Sequence, residues 1–375
     1  MITMRPGSHM HNLLRLLSVS GEFPCRSLGI LGNVRTVKAM VHKMEAAQNI
    51  RLSDGAALSA KLFQVSGIRD LRTVRIYKGA LDVLRDIHPD ALGSYLAAFP
   101  GNKFTGDKTH IRRNHRIAEA TAMCMMAGME TAPYALPKLQ KEAIRITVPE
   151  KPCYYAARCI KKIFEAELNK TSFTRVVGLL CYPGGTYSVY NTRDAVMKWS
   201  GFGELKSRQE LSEIVRMNAG LDEVSSAILF GNDISVALQT LIESDKSQKR
   251  QTRFDRIYQS IHYVPLNPSG INLIRLLTLP DWDGKLLNIL FRPDMRPDGY
   301  GPIEYDAYRD GVYILSHLDS DIARLARLKE ALECQHLSVE VLCFPWQVGF
   351  VRDYLGSAVS LKQLEMNHVL NALGI

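Results

Sequence analysis

The sequence predicts an α+β chain: an N-terminal winged helix-turn-helix, then a mixed α/β domain with a nuclease-like order of elements. Three observations carry this. A helix–turn–helix pattern spans Pro24 to Gln48, PCRSLGILGNVRTVKAMVHKMEAAQ, and two runs of strand character follow it. The excess of positive charge is confined to the first part of the chain. Residues 1–145 hold 21 Lys and Arg against 11 Asp and Glu, and subtraction from the totals of 47 and 38 leaves 26 against 27 for the remainder. A basic lobe of net +10 beside a nearly neutral one is the electrostatic footprint of a phosphate-binding module joined to something else. Finally, strand-like and helical stretches alternate from residue 151 onward, as in a sheet covered on its faces.

In chain order, Met1 to Met10 (MITMRPGSHM) reads as an expression leader with a cloning scar and is set outside the fold. The winged helix-turn-helix is expected over residues 11–100. Its support helix is His11–Val19, with Leu13, Leu14, Leu16 and Leu17 as core residues. Leu28, Ile30 and Leu31 belong to a short first helix. Gly32 supplies the turn, and Asn33 is a good N-cap. In the next helix Val34, Val37, Val41 and Met44 form one apolar stripe, which leaves Arg35, Thr36, Lys38, His42 and Lys43 on the other faces. A buried stripe with short polar and basic residues turned outward suits a DNA groove. Arg35, Thr36, Lys38 and His42 would approach base edges. A solvated amphipathic helix would show the same pattern, and the following segment separates the two. Leu58–Val65 and Leu71–Tyr77 read as strands around a Ser66-Gly67 turn. This hairpin would be the wing, with Lys61, Arg69, Arg72 and Arg75 joining Lys43 at backbone phosphates.

A helical stretch over 79–99 is broken at His88-Pro89. Residues 101–150 then hold a basic helix and a proline-rich connector, where the domain boundary is placed. The basic helix, Lys108 to Met129, carries Lys108, Arg112, Arg113 and Arg116 with almost no acid to pair them, so further phosphate contacts are expected there. His110 and His115 are five apart, the wrong spacing for two metal ligands on one helix face. The α/β domain is expected over 151–375. It begins with a helix at Tyr154–Glu167 and a hairpin at Phe173–Thr192 that turns at Pro183-Gly184-Gly185. A helix at Leu205–Met217, a strand at Ser226–Phe230 and a helix at Ile234–Ile242 follow, and the last assigned element is a helix at Val348–Leu355.

Hairpin, helix, strand, helix is also the order in restriction-type nucleases, which hold a divalent metal with one acid and an acid-x-lysine. Glu204-Leu205-Lys206 has the second spacing, with Asp194 as a distant partner, although such a triplet often arises by chance. Pro297-Asp298 with Glu304 and Asp306 is a second acidic group, but it lacks the lysine. Tyr154-Tyr155 is a tyrosine pair without the H-x-H that a relaxase would need, and Asp233 reads as an N-cap. No phosphate loop, dinucleotide fingerprint, zincin or nucleophile-elbow motif occurs. The chain therefore reads as a binding protein rather than an enzyme, with no cofactor implied. Seven scattered cysteines without a CxxC pair argue against a disulfide framework or a structural zinc, and point to a cytoplasmic protein. No apolar run approaches the ~20 residues of a membrane span.

Three stretches resemble the replication-relaxation proteins carried by plasmids and integrative elements of Gram-positive bacteria. One is the leading region, with LLRLLSVSGEFPCRSLGIL, RTVKAMVHKMEAA and LRTVRIYKGALDVL. Another is the helix beginning IRRNHRIAEATAMC, and the last is the following α/β domain. The resemblance covers roughly the first third of the chain well and the rest loosely. It implies a DNA-binding protein of a mobile genetic element that acts in replication, relaxation or transfer. Its partners would be double-stranded DNA and either further copies of itself or other replication and transfer proteins. It supplies no catalytic residues. The alternatives are a transcriptional regulator with a sensing or oligomerising C-terminal domain, a metal-dependent nuclease, and a winged helix used for protein contacts.

Overall fold

The computed structural model describes residues 1–104, 106–139, 142–148, 150–161, 175–198, 202–218, 220–221, 223–246, 253–297 and 301–375. The chain is mixed α+β and divides into two compact units. The first comprises Met1–Pro137 with Cys153–Ile160, and the second Lys138–Pro152 with Lys161–Ile375.

In the first unit, β1 (Ile2–Thr3) precedes α1 (His9–Ser20), which Ser8 caps by accepting from the His11 amide. Residues 1–10, expected to stand outside the fold, take part in it: β1 lies parallel to β3 (Gln48–Arg51), and Met10 is buried. β2 (Glu22–Pro24) leads into a 3-10 helix at Cys25–Leu31, where a short α-helix was expected. The turn after it needs Gly32. Its φ of 141° and ψ of −159° are essentially glycine-only, and an added Cβ would stand 2.3 Å from His9 Cε1. The His9 ring is itself held at 2.9 Å from the Leu31 carbonyl, so it cannot swing away freely. Gly32→Ala should therefore cost about 1–3 kcal/mol, read as a lowered urea midpoint with an unchanged slope.

Next come α2 (Val34–Met44), the antiparallel pair β3 and β4 (Ala57–Ala60), and the antiparallel pair β5 (Phe63–Ser66) and β6 (Thr73–Ile76). β2 pairs antiparallel with β6, so the second sheet has the order β2-β6-β5. Leu58–Val65, expected as one strand, is thus parts of two strands in two different sheets. Val37, Val41 and Met44 form the buried stripe of α2, but Val34, expected in it, is exposed. The unit closes with α3 (Leu81–Ile87), α4 (Ala91–Ala98) and α5 (Lys108–Met126). From His115 to Cys124 α5 is buried almost without interruption, so it belongs to the core of this unit and not to a connector. After α6 (Ala143–Thr147), which belongs to the second unit, the chain returns to the first with β7 (Cys153–Ala156), bridged to Glu130. The helix expected from Tyr154 is therefore strand at its start, followed by α7 (Ala157–Lys161). Residues 162–167 of that expected helix lie outside the described residues.

In the second unit β8 (Val176–Tyr182) and β9 (Gly185–Arg193) form the expected hairpin, whose first residues, 173–174, lie outside the described ones. α8 (Phe202–Asn218) leads to β10 (Ser226–Gly231), parallel to β9. α9 (Ser235–Asp245) and the short α10 (Phe254–Ile257) precede β11 (Ser260–Pro265), parallel to β10. α11 (Pro268–Leu277) and α12 (Trp282–Leu290) lead to a second sheet. There β12 (Ala307–Arg309) and β13 (Val312–Ser316) are antiparallel. α13 (Ile322–Cys334), β14 (Val339–Cys343), α14 (Val348–Leu355), β15 (Val359–Gln363) and α15 (Met366–Leu373) complete it, with β13, β14 and β15 parallel.

The loop after β13 stitches the two sheets together. Asp321 accepts from the Ile261 amide at 2.9 Å, and the Tyr263 amide donates to the Ser320 carbonyl at 2.9 Å. Beside it, Asp306 and Arg324 are paired through two bonds of 2.8 and 3.0 Å. Among the described residues no helix is long and apolar enough to cross a membrane.

Candidate nucleic-acid interface

Asn33 sets the start of α2 by accepting from the Arg35 amide at 3.0 Å and the Thr36 amide at 3.3 Å. The stripe Val37, Val41, Met44 pins one side of the helix, so the 3.6-residue period turns Arg35, Thr36, Lys38, His42 and Lys43 outward, and all five are exposed. Among the described residues Arg35, Lys38 and Lys43 have no ion-pair partner. His42 lies 3.6 Å from Glu45. The first turn contains no acid, so the positive end of the helix dipole adds to the charge of Arg35, while His42 and Lys43 lie in the last turn.

The loop between β5 and β6 lies beside this helix. The Cys25 amide donates to the Arg72 carbonyl at 2.9 Å. Burial, and to a smaller extent Glu45, push the Cys25 thiol up, while Arg72 and Lys38 pull it down, so both cations and this one acid lie within Coulomb range of one sulfur. Arg69 and Arg72 are exposed on this loop, Arg69 with a φ of 50°. Arg112, exposed on α5, reaches Asp70 of the loop at 3.2 Å, and it holds the Asp70 carboxyl below the usual carboxylate range. Lys108 is exposed one turn before it. Arg35, Lys38, Arg72, Arg69, Arg112 and Lys108 thus belong to neighbouring elements.

Other expected contacts lie elsewhere. Arg75 is bound to Glu22 through Nε at 3.0 Å and Nη2 at 2.7 Å, and it stands over the Phe104 ring at 4.6 Å. Glu22 is fully buried and also accepts from Asn114 at 2.9 Å. Arg75 therefore ties β6 to β2 instead of reaching outward. Lys61 is half-buried, 5.0 Å from the Tyr77 ring centre. Arg113 and Arg116 are half-buried at the point where α5 enters the core, and burial pushes the Arg113 guanidinium down.

The acid-x-lysine triplet does not assemble a site. Glu204 and Lys206 lie in the first turn of α8, where two residues are about 200° apart around the axis. Glu204 is buried against Arg175 at 2.6 Å, while Lys206 points outward, 3.8 Å from Glu210. Asp194 is exposed beside Arg193. In the second acidic group Glu304 and Asp306 are held by Arg324, and Asp298 lies outside the described residues. Among the described residues no group of three His, Cys, Asp or Glu is arranged to hold a metal ion. Tyr154 and Tyr155 are buried, and Asp233 accepts from the Ser235 amide at the start of α9.

Sequence reasoning missed the acidic and histidine-rich surroundings of Arg324. Asp319, Asp321, His262 and His317 are all buried there. Burial holds His262 below the usual imidazole range and pushes His317 down to about 3. Burial and Asp321 raise Asp319 well above the usual range, with Arg324 pulling the other way. The run Ser316-His317-Leu318-Asp319-Ser320-Asp321 after an apolar strand was the available signal. Compared with protein-family models, curated proteins and solved structures, the chain matches none, so the reading of its surfaces rests on their own geometry.

Proposed function

We propose that the first unit is a winged helix-turn-helix that binds duplex DNA. α2 would enter the major groove, and the β5–β6 hairpin would be the wing along the backbone. The observation that carries this is the outward face of α2: three cations, Arg35, Lys38 and Lys43, without ion-pair partners among the described residues on a capped helix, with Arg72 of the hairpin loop near Lys38. The sheet order β2-β6-β5, with β2 between α1 and the 3-10 helix and β5 and β6 after α2, supports the same reading. Arg35, Thr36, Lys38 and His42 approach base edges. Lys43, Arg69, Arg72, Lys108 and Arg112 meet phosphates. On the sequence resemblance to replication-relaxation proteins, this binding would serve the replication, relaxation or transfer of a mobile element. The second unit serves as a scaffold without chemistry of its own. A second reading, a transcriptional regulator whose second unit senses a small molecule, draws support from a cavity in that unit.

The test is binding of the full chain to a fluorescent random duplex across a salt series. Five phosphate contacts at roughly 0.9 each give an expected log–log slope of about −4 to −5. No binding at low salt would overturn the reading.

A further inference from the structure

One face of the β12–β15 sheet is only partly covered. Alternation along the strands puts Arg309, Ile314, Glu340, Leu342 and Lys362 on that face, with Ile314 beside Glu340 and Leu342 beside Lys362 in the register. α12 and α15 cover one end of it, where Leu290, Phe291 and Val369 meet Ile314, Leu342 and Leu364. Beside them, lined in part by the same Leu290, Phe291 and Val369, a cavity of about 380 Å³ remains. That volume falls within the roughly 300–1,000 Å³ that takes small ligands.

The floor of the cavity is apolar and its rim is cationic. Ile314, Leu342 and Leu364 form the floor, and Arg292, Arg309 and Lys362 stand around it with a single acid, Glu340. Asp294 and Asp310 lie 3.6 and 3.9 Å from Arg292 and Arg309, but they are exposed and do not line the cavity. Exposed pairs of this kind hold weakly and exchange readily for a better-placed anion. Lys362 has no ion-pair partner among the described residues. Buried apolar surface ringed by cations in excess of acids is complementary to an anion with an apolar body. Glu340 offsets one of the three rim charges, and the exposed Asp294 and Asp310 partly screen Arg292 and Arg309, which favours a single negative charge over a phosphate-type dianion.

We propose that this cavity binds a medium-chain carboxylate. Its chain lies over Ile314, Leu342 and Leu364, and its carboxylate meets Arg309 and Lys362. The site lies wholly in the second unit and does not depend on the DNA reading.

The experiment is calorimetric titration of the full chain with decanoate and, separately, with decyltrimethylammonium, both below their micelle concentrations. Decanoate should bind saturably at one per chain, at least about 10-fold tighter than the ammonium of equal chain length. Arg309→Glu with Lys362→Glu should weaken decanoate by about 10-fold or more at an unchanged melting temperature, since both side chains are exposed. Lys362→Glu alone provides the same comparison if the double variant folds poorly. Absence of saturable decanoate binding up to about 5 mM, equal affinity for the two surfactants, or unchanged affinity in a folded charge-reversed variant would each overturn the proposal.

Discussion

Replacing Arg35 and Lys38 together by alanine should weaken duplex binding by about 10- to 100-fold without changing the melting temperature. Both side chains are exposed, and the helix that carries them is held by Val37, Val41 and Met44 and by the Asn33 cap, none of which is touched. The loss can therefore be read as lost contact and not as unfolding. The salt series divides it further. If both residues meet phosphates, the slope should become shallower by about 1.8. If both read base edges, as assigned above, the slope should stay nearly unchanged and the variant should lose preference at the positions they contact. Arg75→Ala separates binding from folding in the opposite direction. Its guanidinium is committed to buried Glu22, so its removal should lower stability and leave the salt slope unchanged. Wild-type affinity in a folded Arg35/Lys38 variant would move the contact surface away from α2.

The parts of this surface that were legible in the sequence are those set by local rules. Gly32 and Asn33 mark a turn and a cap by their own conformational preferences, and the Val37, Val41, Met44 spacing determines which side chains of α2 face outward. What was not legible depends on partners distant in the chain. Arg75 and Glu22 are 53 residues apart, and Asn114 reaches the same carboxylate from α5, so nothing near Arg75 announces its ion pair. Strand parity misleads here: Arg72 stands outside β6 and shares its parity with buried Val74 and Ile76, so alternation alone would have turned Arg75 outward. The merged strand at Leu58–Val65 failed for another reason. Lys61-Leu62 contains no glycine or proline, so the change of sheet leaves no punctuation. Glu204 and Lys206 show the limit of a motif without its context. On a strand they would share a face, whereas on α8 they point to different sides.

The burial around Arg324 gives the largest stability effect expected in the molecule. Arg324→Ala should cost about 3–5 kcal/mol at neutral pH, because it strands carboxylates that are already out of water. Asp306 is almost fully buried and loses its two bonds to the guanidinium. Burial opposes the charge on Arg324 itself, but Asp306 outweighs it, and Glu304 and Asp319 add to the same pull, holding the guanidinium above its ordinary range. One cation therefore serves several acids; Arg327 shares Glu304 with it at 3.0 Å. The pH dependence follows from Asp319. Its carboxyl is already raised by burial and by Asp321, and loss of Arg324 raises it further. A carboxyl raised in the folded state favours folding below its unfolded pKa of roughly 3.9 and loses that contribution as the pH climbs through the folded value. The penalty of Arg324→Ala should accordingly grow as the pH climbs above the wild-type folded value of Asp319, measured as the shift in urea midpoint at each pH. A second variant separates lost charge from lost packing. Asp306→Asn keeps an acceptor for the Ser316 amide, which Asp306 binds at 2.6 Å. Combined with Arg324→Met, which refills most of the volume, it should recover a substantial part of the loss, because removing both charges avoids the stranded one. Equal destabilisation in the single and double variants would mean that the guanidinium's packing, and not its charge, holds the two sheets together.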